Sequence, residues 1–174
     1  MESRLKVLGH PLHPVLIVFP LGLLVTSILF DIIHLISGNG YFSEIAFWML
    51  SAGLIGGLIA GAAGLVDYTA IPAGTRAQTI GKYHAIGNIF VLTFFAIAWV
   101  LRVYAPLQHP PIFALLLSLL GFLLSGATAW LGGEMVDRLG IGVDPGAHAN
   151  APSSLSHQPA AAQAVRPPAD VARS

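Results

Sequence analysis

The sequence predicts an all-α polytopic membrane protein, an antiparallel four-helix transmembrane bundle followed by a disordered C-terminal tail. Three observations predict it: long uninterrupted apolar segments, a charge content of 9% beside 55% hydrophobic residues, and cations gathered on one side of the segments. Soluble domains carry roughly 25% charged residues. A mean hydropathy of +0.77 leaves too little charge to clothe a globule of 174 residues in water.

Residues 14–36, 44–66, 84–104 and 112–132 are each apolar and long enough, at about 1.5 Å per residue, to cross a hydrocarbon core of roughly 30 Å. The first span exceeds a usual signal-peptide core, carries Pro20 and lacks a small-residue cleavage site, so it is expected to stay. Pro20 cannot donate to the Leu16 carbonyl, which predicts a kink. The connections contain helix-ending residues: Ser37-Gly38-Asn39-Gly40, Ile71-Pro72-Ala73-Gly74, and the stretch 105–111 with its prolines. From Asp144 onward the chain is rich in Ala and Pro with few large apolar residues, and is expected to form a disordered cytoplasmic tail that includes His148 and His157.

Arg4 and Lys6 precede the first span, Arg76 and Lys82 separate the second from the third, and Arg138 follows the fourth; the opposite connections contribute only Arg102. The positive-inside rule therefore predicts a multi-pass membrane protein with both termini cytoplasmic. Formal net charge is zero, so there is no basic field for nucleic acid. Cysteine is absent, which excludes disulfides, thiolate haem ligands and cysteine-held clusters or zinc sites.

Polar and small residues mark the inward faces. His13, Ile17, Pro20, Leu24, Ser27, Asp31 and His34 form one stripe of the first span. Gly53, Gly57 and Gly61, beside Gly56, Ala60 and Gly64, make two rows on the second, and Ser118, Gly121, Ser125, Thr128 and Gly132 a row on the fourth. Such rows serve close helix packing or leave room for a flat cofactor.

The titratable residues sort into two layers. His10, His13, Asp67, Tyr68, Lys82, Tyr83, His84 and Asn88 belong near the cytoplasmic boundary. Asp31 lies 18 positions beyond His13, about 27 Å along a helix, and belongs at the other boundary with His34, Glu44, Arg102 and His109. His84 and Asn88 share a face, expected to meet the first or second span. Asp31 is expected to bond His34 or a neighbouring helix, as a structural anchor or a proton-handling group.

Histidines at matching depth on different helices suit haem b, whose axial imidazoles approach the iron from opposite faces; His13 and His84 are the chosen pair, with Lys6, Arg76 and Lys82 available to propionates. A zinc or iron ion held by His10, His13, Asp67 and His84 is the second possibility. The third is no cofactor, the histidines capping helix entrances or facing interfacial water. No phosphate loop, nucleophile elbow or zinc-protease helix occurs, and nothing marks a stand-alone enzyme.

Gly9-His10-Pro11-Leu12-His13-Pro14, Pro20, Asp31, the glycine-rich second span ending Asp67-Tyr68, His84, Asn88, Gly132-Gly133 and Gly140-Ile141-Gly142-Val143 resemble an uncharacterised bacterial integral membrane family, a domain of unknown function. The resemblance covers residues 6–143. Asp137 departs from it, standing where the family pattern leads one to expect an aromatic residue. Relatives joined to Rieske-type iron–sulfur domains imply a place near membrane electron transfer and a redox partner of that type. Two function classes follow: a haem- or metal-binding redox membrane protein or subunit, and a cofactor-free scaffold or proton or small-solute transport module acting as a homo-oligomer with Asp31 as its switch.

Overall fold

The computed structural model describes residues 1–163. It opens with a small antiparallel hairpin of β1 (Lys6–Val7) and β2 (His10–Pro11), in which Lys6 faces Pro11 and Val7 faces His10. Leu8 and Gly9 form its two-residue turn, both at positive φ (52° and 82°), the backbone that a tight hairpin turn of matching twist needs. The sequence reading did not anticipate this hairpin.

Five helical segments follow, α1 (Leu12–Leu16), α2 (Val18–Ser37), α3 (Gly40–Tyr68), α4 (Arg76–Val103) and α5 (Ile112–Asp137). Helices α1 and α2 form one membrane-length unit, Leu12–Ser37, so that four units are long and apolar enough to cross a membrane. The join at Ile17 falls one turn before Pro20, where the missing N–H breaks the ladder. Gly38, at φ 68°, ends α2 in the left-handed conformation that lacks a Cβ penalty. Asn39 caps α3 by accepting from the Tyr41 N–H at 3.0 Å, and Thr75 caps α4 by accepting from the Gln78 N–H at 3.2 Å. The Thr75 cap starts α4 well before the apolar run at residue 84, which places Lys82 and Tyr83 on a helix.

The bundle is built from two closely packed antiparallel pairs, α2 with α3 and α4 with α5, which meet each other over a lighter seam. Leu24, Ile28, Leu50, Val91 and Phe95 fill the seam's apolar centre. The glycine rows admit side chains from neighbouring helices. A Cβ at Gly53 would stand 2.7 Å from Leu24, one at Gly57 2.6 Å from Leu92, and one at Gly121 3.0 Å from Phe95. Gly61 and Gly126, by contrast, face open space.

After α5 the chain returns to the hairpin. Lys6 Nζ donates to Asp144 Oδ1 at 2.6 Å, and Ser154 Oγ donates to the Leu8 carbonyl at 3.1 Å. Short 3-10 turns occupy Ser154–Ser156 and Ala160–Gln163. The tail expectation for residues 164–174 lies outside the described residues.

Candidate functional site

His13 and His84 come together at the end of the bundle that holds the α3–α4 connection. Their ring centroids stand 6.4 Å apart with planes at 89°. Each ring is anchored to its own helix pair. His13 Nδ1 donates to the Ala60 carbonyl on α3 at 2.8 Å, and His84 Nδ1 donates to the Thr128 carbonyl on α5 at 2.9 Å. A carbonyl only accepts, so both Nδ1 atoms carry the proton and both Nε2 atoms present a lone pair. The two rings thus meet at right angles across the seam.

Small residues create the space behind them. A Cβ on Gly64 would lie 2.9 Å from His13 Cε1 and Nδ1, and a Cβ on Gly132 would lie 3.1 Å from His84 Cε1. At Gly64 a side chain would push the imidazole out of place, whereas at Gly132 it would crowd the His84 ring more lightly.

Asn88 sits one turn from His84. Its amide donates to the His84 carbonyl at 2.8 Å and reaches His84 Nε2 at 3.3 Å. Thr128 Oγ1 donates to Asn88 Oδ1 at 3.3 Å and to the Ser125 carbonyl at 3.0 Å. The shared face of His84 and Asn88 therefore meets α5, the fourth spanning unit, as well as the His13 ring. Thr128 and the Ala60 carbonyl were not singled out from the sequence as site groups. Thr128 had a visible signal, its place between Ser125 and Gly132 on the small-residue row; a backbone acceptor has none.

The other inner-layer residues are engaged elsewhere. Asp67 accepts from Ser3 Oγ at 2.6 and 2.7 Å, from the Arg4 N–H at 2.8 Å and from the Leu5 N–H at 3.2 Å, fastening the N-terminal segment to the end of α3. His10, on the exposed hairpin, has Ser154 Oγ at 3.5 Å from its Nε2. The structure does not bring His10 and Asp67 together with His13 and His84: among the described residues no three His, Asp or Glu side chains form a metal-holding group. Lys6 is paired with Asp144 and Glu2, and Arg76 with Glu134 at 2.6 Å.

At the opposite end Asp31 on α2 meets Arg102 on α4. Arg102 Nη1 donates to Asp31 Oδ1 at 2.9 Å and Nη2 donates to Oδ2 at 2.5 Å, with the two residues only 4% and 2% exposed. This bidentate clasp ties one helix pair to the other. His34 is not the partner; its Nδ1 donates to the Asn39 carbonyl at 3.0 Å.

Fold and site together define a multi-pass membrane protein with a histidine pair at one end of its bundle and a buried ion pair at the other. Residues 9–145 match the model of the family described as predicted membrane protein (DUF2231), and the chain belongs to that family. No curated protein and no solved structure matches it.

Proposed function

We propose that His13 and His84 would hold a haem b, which would make this chain a one-electron carrier or a subunit of a membrane redox assembly. The observation that carries the reading is the pair itself: two imidazoles from different helix pairs, 6.4 Å apart and perpendicular, each with Nδ1–H tied to a carbonyl. Ligating histidines characteristically donate the other ring N–H to such an acceptor, which fixes the tautomer and the ring orientation. Two imidazoles whose centroids are 6.4 Å apart could both reach one metal centre between them. The four-ligand set for a zinc or iron ion has no such support in the geometry.

When bound, haem would supply reversible one-electron chemistry at its iron. The chain's part is to hold and orient. Ala60 and Thr128 keep both Nε2 lone pairs available, and Gly64 and Gly132 admit the rings. A ligand on His84 Nε2 would displace only the longer contact of Asn88, at 3.3 Å, and would leave its 2.8 Å bond to the His84 carbonyl in place. Cation asymmetry supports both termini lying on the cytoplasmic side, and the family resemblance supports the bacterial inner membrane and a Rieske-type protein as the redox partner.

One observation favours the second reading, a cofactor-free scaffold or transport module working as a homo-oligomer: both imidazoles already have partners within the chain, and Asp31 is clasped by Arg102. Absorption spectroscopy on protein purified from haem-replete cells separates the two. A Soret band that shifts on reduction is expected, lost in His13→Ala and His84→Ala and kept in His148→Ala. A colourless preparation overturns the haem reading.

A further inference from the structure

Leu65 and Tyr68 at the end of α3, with Gln78, Lys82, Tyr83 and Ile86 at the start of α4, line an open groove of about 620 Å³ on the outside of the bundle. Its chemistry is graded along the helix axes. Leu65 and Ile86 lie deeper, toward the middle of the spans, and are 62% and 40% exposed. Gln78 and Lys82 lie toward the helix ends, where an interface with water falls, and the two tyrosines stand between. Aromatic rings with a polar tip are suited to that depth.

Lys82 is exposed and belongs to none of the ion pairs among the described residues, whereas Lys6 and Arg76 at the same end are bound to carboxylates. Asp67, the acidic residue at the end of α3, is already occupied by Ser3, Arg4 and Leu5. Gln78 spends its Oε1 on the Gly74 N–H at 2.9 Å, which turns its amide to the role of donor. The first turns of α4 add the positive end of a helix dipole.

We propose that this groove binds an anionic phospholipid, its phosphate against Lys82 Nζ and the Gln78 amide, an acyl chain along Leu65 and Ile86, and the tyrosine rings at the boundary between headgroup and chain. A free phosphate would leave the apolar half uncovered, and a zwitterionic lipid brings a headgroup cation beside its phosphate, which offsets the attraction to Lys82. An unpaired lysine at the membrane surface attracts such headgroups. The proposal is independent of the haem reading.

The test is native mass spectrometry of the full chain in detergent, titrated with phosphatidylglycerol or phosphatidylcholine of matched acyl chains. One lysine near the headgroup predicts a preference for phosphatidylglycerol of roughly fivefold. Lys82→Gln removes that preference and Lys82→Arg retains it. Arg138→Gln, which removes an exposed cation at the same end of the bundle, leaves it unchanged. Equal binding of the two lipids by the natural chain overturns the proposal, as does an equal loss in Lys82→Gln and Arg138→Gln. Displacement of the lipid by excess inorganic phosphate would instead assign the site to a free anion and overturn it too.

Discussion

The Asp31–Arg102 clasp gives the most decisive perturbation of the bundle. Two charge-assisted bonds, at 2.9 and 2.5 Å, join residues that are almost wholly buried. Each such bond is worth roughly 1.5–3 kcal/mol, and removing one partner of a buried pair costs about 3–5 kcal/mol because it strands the other charge. We predict that loss for Arg102→Met and for Asp31→Leu taken singly. The double variant behaves differently. Arg102 Nε has no acceptor among the described residues, so the pair carries a desolvation cost that its two bonds do not fully offset. Replacing both residues by apolar side chains is therefore expected to restore stability to within about 1–2 kcal/mol of the natural chain, or to exceed it. Reversible unfolding in mixed micelles reads this through tryptophan fluorescence, since Trp99 stands one turn from Arg102 and donates to Ser51 at 2.8 Å. Losses that simply add in the double variant would refute the reasoning, for they would mean that each charge is satisfied independently of the other.

Gly64→Ala should displace the His13 ring, since the new methyl would fall 2.9 Å from it, and we predict a destabilisation of about 1–3 kcal/mol together with loss of the His13–Ala60 bond. Gly61→Ala, where nothing lies within 4 Å, is the control; equal effects at both positions in unfolding and imidazole NMR would refute the packing assignment. The pH response of the hairpin follows from Lys6. Its hydrogen bond to Asp144, and secondarily that to Glu2, raises the lysine above its ordinary value of 10.5. A folded-state value above the unfolded one means that this contribution is complete below 10.5 and disappears as pH climbs through the folded value. Hydrogen exchange in residues 144–156 should therefore show constant protection across neutral pH and a loss only in the alkaline range, while Lys6→Gln shows reduced protection throughout. Loss of protection in the natural chain near neutrality would contradict it.

What belonged to the sequence alone was the solvent and the spanning pattern. Four apolar runs separated by Gly- and Pro-bearing joints need a bilayer, and hydrocarbon requires every backbone group to pair internally, which runs of this length and continuous apolarity achieve as helices. The depth of each polar residue followed from counting along those helices, which is why His13 and His84 could be named as neighbours, and Asp31 and Arg102 as members of one layer, from a rise per residue. Depth says nothing about azimuth. Which way each helix turns, and therefore that the His84 face meets Thr128 on α5, was settled by packing. So was the separation of His10 and Asp67 from the histidine pair, since the Leu8–Gly9 turn carries one away and the backbone N–H groups of Arg4 and Leu5 claim the other. The glycine rows carried the same ambiguity: a missing side chain is visible in the sequence, but only the tertiary structure shows that Gly64 and Gly132 yield their space to imidazoles while Gly61 yields its own to nothing. Contacts between helices depend on rotations that a one-dimensional pattern of small residues leaves free, and close packing selects among them.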